Sequence, residues 1–263
     1  VQTLVWIPGS RSVCDDSSHR PSRSHRPGPG IGRTLWGILL SVAAATIAAE
    51  PVRLAPDPSA ATLATPMTPR VAIVLDDLGY RRNAGFLAGL SDRLTYAILP
   101  NAPHATALSH QLNAMGREII IHLPMEPVGH HDPGPGALTT SMTRFEIRER
   151  VHHALATIPH ARGLSNHMGS RAMADRGVMT ALFYSILDLG PRGLYFLDSR
   201  TTPRSVSSGL AYPRRIRHFA RDVFLDNRRD RQAIRAQLRH LVRLAHERGR
   251  AIGIGHPYRD TLD

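Results

Sequence analysis

The feature that most constrains this chain is a regular alternation of short apolar runs with helix-like stretches. The runs are Val71–Leu75, Tyr96–Leu99, Glu118–Ile121, Gly163–Leu164, Leu194–Leu197, Val223–Leu225 and Ala251–Ile254. Short β-branched runs bounded by polar residues read as strands buried on both faces. Between most of them lie Ala105–Met115, Arg144–Thr157, Ala181–Leu189 and Arg231–Arg248. In the last of these, Ile234, Leu238, Leu241, Val242 and Ala245 recur at helical spacing against an Arg-rich face, and Gly249 follows as a C-cap. The alternation predicts parallel βαβ units, in an open sheet or a barrel, with about seven strands. A barrel calls for one more helix after Ala251–Ile254, so the chain reads as short at its C-terminal end.

The polar residues that follow these runs carry the functional signal. Asp76 and Asp77 end the first run in VAIVLDDLGY, and His122 follows EIII. His167 lies in GLSNHMGS, Asp198 and Arg200 in LYFLDSR, Asp222 and Asp226 around VFL, and His256 in AIGIGHP. In a parallel α/β fold the carboxyl ends of the strands share one face, where ligands bind. Singly, each residue has a structural account: an Asp-rich turn, a core histidine, a loop histidine, an ion pair between Asp198 and Arg200. Separate segments that all deliver Asp, His and Arg to one rim are not explained that way.

Adjacent carboxylates repel unless a cation separates their roles. Asp77, His122 and His167 supply three ligands of the kind that hold Zn²⁺ or a similar divalent ion and leave a position for water. Asp76 then takes the water proton, and His256 protonates the leaving group from the other side. Asp198 or Asp222 holds a histidine in its tautomer, or pairs with Arg200. His130 and His131 sit in a Gly/Pro-rich loop that suits a rim position. His152 and His153 are neighbours in a helix and cannot both face one site.

Composition excludes several classes. The 33 basic side chains are all arginine, and the net charge is +12. These arginines are scattered, without the aromatic interleaving or the motif of a nucleic-acid reader, so no nucleic-acid partner is expected. A single cysteine, Cys14, excludes an intrachain disulfide framework. No Gly-x-Ser-x-Gly elbow, P-loop or dinucleotide fingerprint is present. Residues 1–33, rich in Arg, Ser, Pro and Gly, read as disordered. Thr34–Ala49, TLWGILLSVAAATIAA, has the layout of a signal peptide or signal anchor, with arginines before an uncharged core and small residues at its end. Residues 50–70, rich in Pro, Ala and Thr, read as a linker, and residues 71–263 as the folded domain.

Seven segments, IVLDDLGY, AILPNAPH, EIIIHLPMEP, NHMGSRAMAD, LYFLDSRTT, RDVFLDN and IGHP, occur in this order over Val71–Tyr258. In these segments the chain resembles the divergent polysaccharide deacetylase family, relatives of the NodB-type carbohydrate esterases. The resemblance implies a distorted (β/α) barrel, an envelope location and metal-dependent removal of N- or O-acetyl groups from a glycan. It places Asp77, His122 and His167 at metal-ligand positions, Asp76 at the base and His256 at the acid. One departure stands out: NodB-type proteins carry two histidines close together in one motif, whereas His122 is followed by LPMEP and His167 comes from another segment. The expected function is a periplasmic or membrane-anchored deacetylase of envelope polysaccharide or peptidoglycan, with a divalent metal such as zinc. The alternative is a non-catalytic glycan-binding or envelope-assembly protein on the same fold.

Overall fold

Parallel strands prefer to be covered on both faces, and the apolar runs of this chain are covered in that way. A computed structural model describes residues 68–81, 89–188 and 193–263. The expectations for residues 1–33 and 34–49, and for the linker as far as residue 67, lie outside the described residues. Eight strands form one sheet: β1 (Arg70–Leu78), β2 (Leu94–Ile98), β3 (Glu118–Met125), β4 (Gly163–Met168), β5 (Tyr195–Asp198), β6 (His218–Ala220), β7 (Val223–Phe224) and β8 (Arg250–Gly255). All their pairings are parallel, in the order β6-β5-β4-β3-β2-β1-β8-β7. That order is the chain order of a barrel, opened between β6 and β7. The sheet is a curled half-barrel of the kind expected, with one strand more than the apolar runs disclose.

The additional strand is β6. Its sequence, HFA, is too short and too polar to register as an apolar run. Two other strands are longer than their apolar content suggests. β4 continues through Ser165, Asn166 and His167, and β3 continues through His122 to Met125. His122 and His167 are therefore strand residues and not loop residues. Pro124 is tolerated because it falls beyond the last β2 pair, Ile98↔Ile121, where no ladder bond is lost.

The helices are α1 (Ala105–Ala114), α2 (Arg144–Thr157), α3 (Arg176–Asp188), α4 (Ser207–Ala211), α5 (Arg231–Arg248) and α6 (Arg259–Leu262). α2 starts at a capping box formed by Thr143 and Glu146. α3 begins five residues ahead of Ala181 because Asp175 Oδ1 accepts the Val178 N–H at 2.8 Å. α5 has its expected limits, capped by Asp230 at the start and by Gly249, in the left-handed region, at the end.

Strand parity sorts the core. Leu75, Tyr96, Ile98, Ile119, Ile121, Leu123, Leu164 and Phe196 point outward into one cluster with the buried faces of α1, α2 and α3. Val71, Val223, Leu225 and Ala251 pack against α5. The residues between them point inward, where Val74, Ala97, Ile120, Tyr195, Leu197 and Ile254 make a separate apolar layer. Below this layer Thr95 Oγ1 and Tyr195 Oη donate to Glu118, at 2.8 and 3.1 Å. Above it, two residues further along each strand, lie Asp76 after Val74, His122 after Ile120 and His256 after Ile254. A period of two carries the inward direction from the apolar layer to the polar rim.

Gly163 is a tight point of this interior. A Cβ there would meet the Tyr195 ring at 2.7 Å and the Tyr195 carbonyl oxygen at 2.8 Å. Gly163→Ala is expected to destabilise the domain by about 1–3 kcal/mol, the usual range for an overpacked core. A urea titration reads this as a lower midpoint at unchanged slope.

Candidate active site

Asp76 faces inward by parity, and Asp77, the next residue, would face outward on a regular strand. β1 shifts register between Leu75 and Leu78, and Asp77 takes φ 60°. This bulge re-aims its carboxylate toward the interior. Asp77 Oδ1 then lies 2.8 Å from His167 Nδ1 and 3.2 Å from His122 Nε2. His122 Nε2 is also 3.5 Å from Asp76 Oδ2. The two imidazoles face each other at 3.3 Å between Nδ1 of His167 and Nε2 of His122. One ligand atom from each of Asp77, His122 and His167 falls within 4.8 Å of the others.

The donor set fits a divalent cation. Asp77 Oδ1 is buried and makes no aligned hydrogen bond despite its two close nitrogens. The two imidazole nitrogens beside it bond to each other, and the carboxylate oxygen is left facing them both. His122 Nδ1 is taken by Ser165 Oγ at 2.8 Å, which leaves Nε2 to face the carboxylates. Ser165 is fully buried beside His122 in the β3–β4 register.

Electrostatics separate the two carboxylates. Burial pushes the Asp76 carboxyl above the usual range, against the opposing pull of His122 and His256. Burial acts on Asp77 in the same direction, but the nitrogens of His122 and His167 outweigh it and hold its carboxyl well below the usual range. Burial lowers the His122 pKa, but Asp76 and Asp77 outweigh it and raise it above the ordinary value. Asp76 is 3% exposed, and its Oδ1 has no hydrogen-bond partner among the described residues.

His256, at the end of β8, is held by Asp226, which follows β7. Asp226 Oδ1 faces His256 Nδ1 at 2.9 Å, and Oδ2 accepts the His256 backbone N–H at 2.6 Å and Thr261 Oγ1 at 2.9 Å. This turns Nε2 toward the site, 3.6 Å from Asp77 Oδ2. Burial pulls the His256 pKa down, but Asp226 and the Asp77 charge raise it above the ordinary value.

The structure leaves three of the expected site residues out of this cluster. Asp198 is buried, but it accepts from Ser205 Oγ at 2.6 Å, Ser207 Oγ at 2.8 Å and the Arg200 N–H at 2.7 Å. It holds its own loop and orients neither His122 nor His256. The Arg200 side chain is exposed, and Asp198 meets its backbone instead of its guanidinium. Asp222 precedes β7, where it accepts the Ile252 N–H at 2.9 Å and pairs with Arg248 at 3.2 Å. Of the two acids around VFL, only the one after the strand reaches the rim. Arg221 is a residue the sequence did not disclose. It donates from Nε to Ser199 O at 2.7 Å, lies over Phe224 and feels the Asp76 charge.

Two clefts meet at this cluster. One, of about 270 Å³, reaches His167 past Tyr80, Asn101 and Pro133–Pro135. The other, of about 410 Å³, has Asp77 and His256 in its lining together with Tyr80, Arg229 and Tyr258. Tyr80 is 54% exposed and lines both.

Comparison with known proteins agrees with this architecture. An uncharacterized protein of Haemophilus influenzae is 36% identical over 195 residues, covering 73% of this chain and 68% of the relative. The uncharacterized Escherichia coli protein YibQ is 32% identical over 194 residues, covering 73% of this chain; the match spans only 60% of YibQ. Among solved structures, an uncharacterized protein of Agrobacterium tumefaciens superposes with a TM-score of 0.69 at 28% identity, covering 74% of this chain and 80% of that one. The sequence profile of the divergent polysaccharide deacetylases matches residues 73–263, and the chain belongs to that family.

Proposed function

We propose that the protein is a metal-dependent deacetylase that removes acetyl groups from an envelope polysaccharide or peptidoglycan. The observation that carries this reading is the convergence of Asp77 Oδ1, His122 Nε2 and His167 Nδ1 on one point, beside a buried Asp76 and a His256 locked by Asp226. Two imidazoles and a carboxylate suit zinc. When bound, such an ion polarises an acyl carbonyl and acidifies water. Asp76, with an unpartnered Oδ1, accepts a proton from water as its oxygen adds to the acetyl carbon. His256 then gives its Nε2 proton to the departing nitrogen or oxygen as that bond to carbon breaks. The products are acetate and a free amine or hydroxyl. The N-terminal Thr34–Ala49 segment supports a place at the cell envelope.

Three measurements test this. The purified protein is expected to bind about one zinc per chain. Asp77→Asn should weaken that binding by more than the 10–100-fold typical of outer-sphere changes, roughly. Metal analysis after dialysis reads both values, and no stoichiometric metal after reconstitution would sink the mechanism. Asp76→Asn should keep the metal and lower acetate release from an acetylated oligosaccharide by about 10²–10⁴-fold, the usual contribution of a general base. A glycan-binding protein without catalysis would release no acetate in either form. The third measurement concerns pH. His256 must be protonated to act as an acid, and Asp226 helps to hold its pKa above the ordinary histidine value. Activity is therefore lost as pH rises through the His256 pKa, and Asp226→Asn should move this alkaline limb to lower pH. An unmoved limb would remove His256 from the acid role.

A further inference from the structure

The cleft on the His256 side carries a charge that the deacetylation chemistry does not use. Arg81, Arg229 and Arg259 line it with Tyr258. Some of its charges are answered locally: Arg259 faces Asp263 at 3.7 Å, and Asp260 faces Arg231 at 3.7 Å. Arg229 is exposed and has no carboxylate partner among the described residues. It is nevertheless held in place. Its guanidinium lies 3.9 Å over the Tyr258 ring, and Nη2 donates to Tyr258 Oη at 2.9 Å. Tyr258 stacks on His256 with centroids 5.3 Å apart, and His256 also meets Phe224 at 5.2 Å. A series of ring contacts thus runs from the cationic wall of the cleft to the acid at its floor.

A guanidinium stacked on an aromatic ring spends its flat face and keeps most of its in-plane N–H donors. Because its orientation is already fixed, little side-chain freedom remains to be lost on binding. The planar fork that remains matches a carboxylate. We propose that Arg229 is a specificity-determining residue that binds a carboxylate on the sugar unit next to the one losing its acetyl group. The preferred substrate is then an acidic glycan. This rests on the deacetylase reading for the position of the reacting sugar, but the anion site itself does not depend on catalysis.

The test uses the full chain and two probes. One is a neutral N-acetylglucosamine oligomer; the other is a strand of alternating N-acetylglucosamine and N-acetylmuramic acid with free lactyl carboxylates. The wild type is expected to prefer the acidic strand by about tenfold in kcat/KM, the size of one charge-assisted hydrogen bond. The preference should lie mainly in KM and shrink with added salt. Arg229→Gln should bring the ratio of the two probes close to one, and Arg229→Lys should restore part of it. Equal values for both probes in the wild type, or an Arg229→Gln loss shared equally between them, overturns the proposal. Calorimetric binding of the acidic strand separates this from the catalytic reading. If neither probe releases acetate while Arg229→Gln abolishes binding of the acidic strand, deacetylation fails and the anion site stands. If that binding is unchanged by Arg229→Gln, the anion site fails.

Discussion

Two neighbouring residues of a regular strand point to opposite faces, and the site depends on Asp76 and Asp77 breaking that rule together. The break is local. β1 keeps its register with β2 through Leu75, shifts before Leu78, and places Asp77 in the left-handed region. A non-glycine residue there costs about 1–2 kcal/mol, and aspartate is among the side chains that tolerate it best. Met168, after His167, and Arg200, after Asp198, also take positive φ. Three of the four non-glycine residues with positive φ among the described residues thus lie at the carboxyl ends of β1, β4 and β5; the fourth, Arg215, precedes β6.

Once both carboxylates are inside, charge balance governs the rest. Buried and adjacent, they raise the pKa of His122, against the burial that lowers it. Asp77, His122 and His167 would hold a cation there, and its charge would offset the repulsion between the acids. The same charge differentiates the pair: Asp77 stays ionised against two imidazoles, whereas Asp76, more deeply buried, has the higher proton affinity. Separate proton affinities in adjacent groups are what a ligand and a base require. Ser165 and Asp226 complete the arrangement by fixing which nitrogen of His122 and of His256 faces inward.

Much of this was legible in the sequence, for a physical reason. Apolar runs report strands buried on both faces, and polar residues at their ends report the rim, so Asp76, Asp77, His122 and His256 could be placed without coordinates. β4 was only half legible, because its inward residues Ser165 and His167 serve the site and erase the apolar pattern. β6 was invisible for want of length. Beside VFL the sequence points to Asp222 for holding a histidine, whereas the strand direction turns Asp222 to Arg248 and leaves Asp226 to hold His256. The bulge at Asp77 has no sequence signature beyond the DD–Gly pattern, since its effect is a direction and not a composition.

The open seam explains why the RDVFLD segment matters more than its length suggests. β6 and β7 are the two edges of the half-barrel, and the chain crosses between them at Arg221 and Asp222. The Arg221 N–H continues the β5–β6 ladder to Asp198 O at 2.9 Å, and the Asp222 N–H continues the β7–β8 ladder to Ile252 O at 2.8 Å. The Arg221 guanidinium ties the same crossing to Ser199 O and Arg200 O and lies over Phe224, which touches His256. The segment that joins the edges therefore also touches His256, so the side of the barrel left open by the strands is the side from which His256 is held.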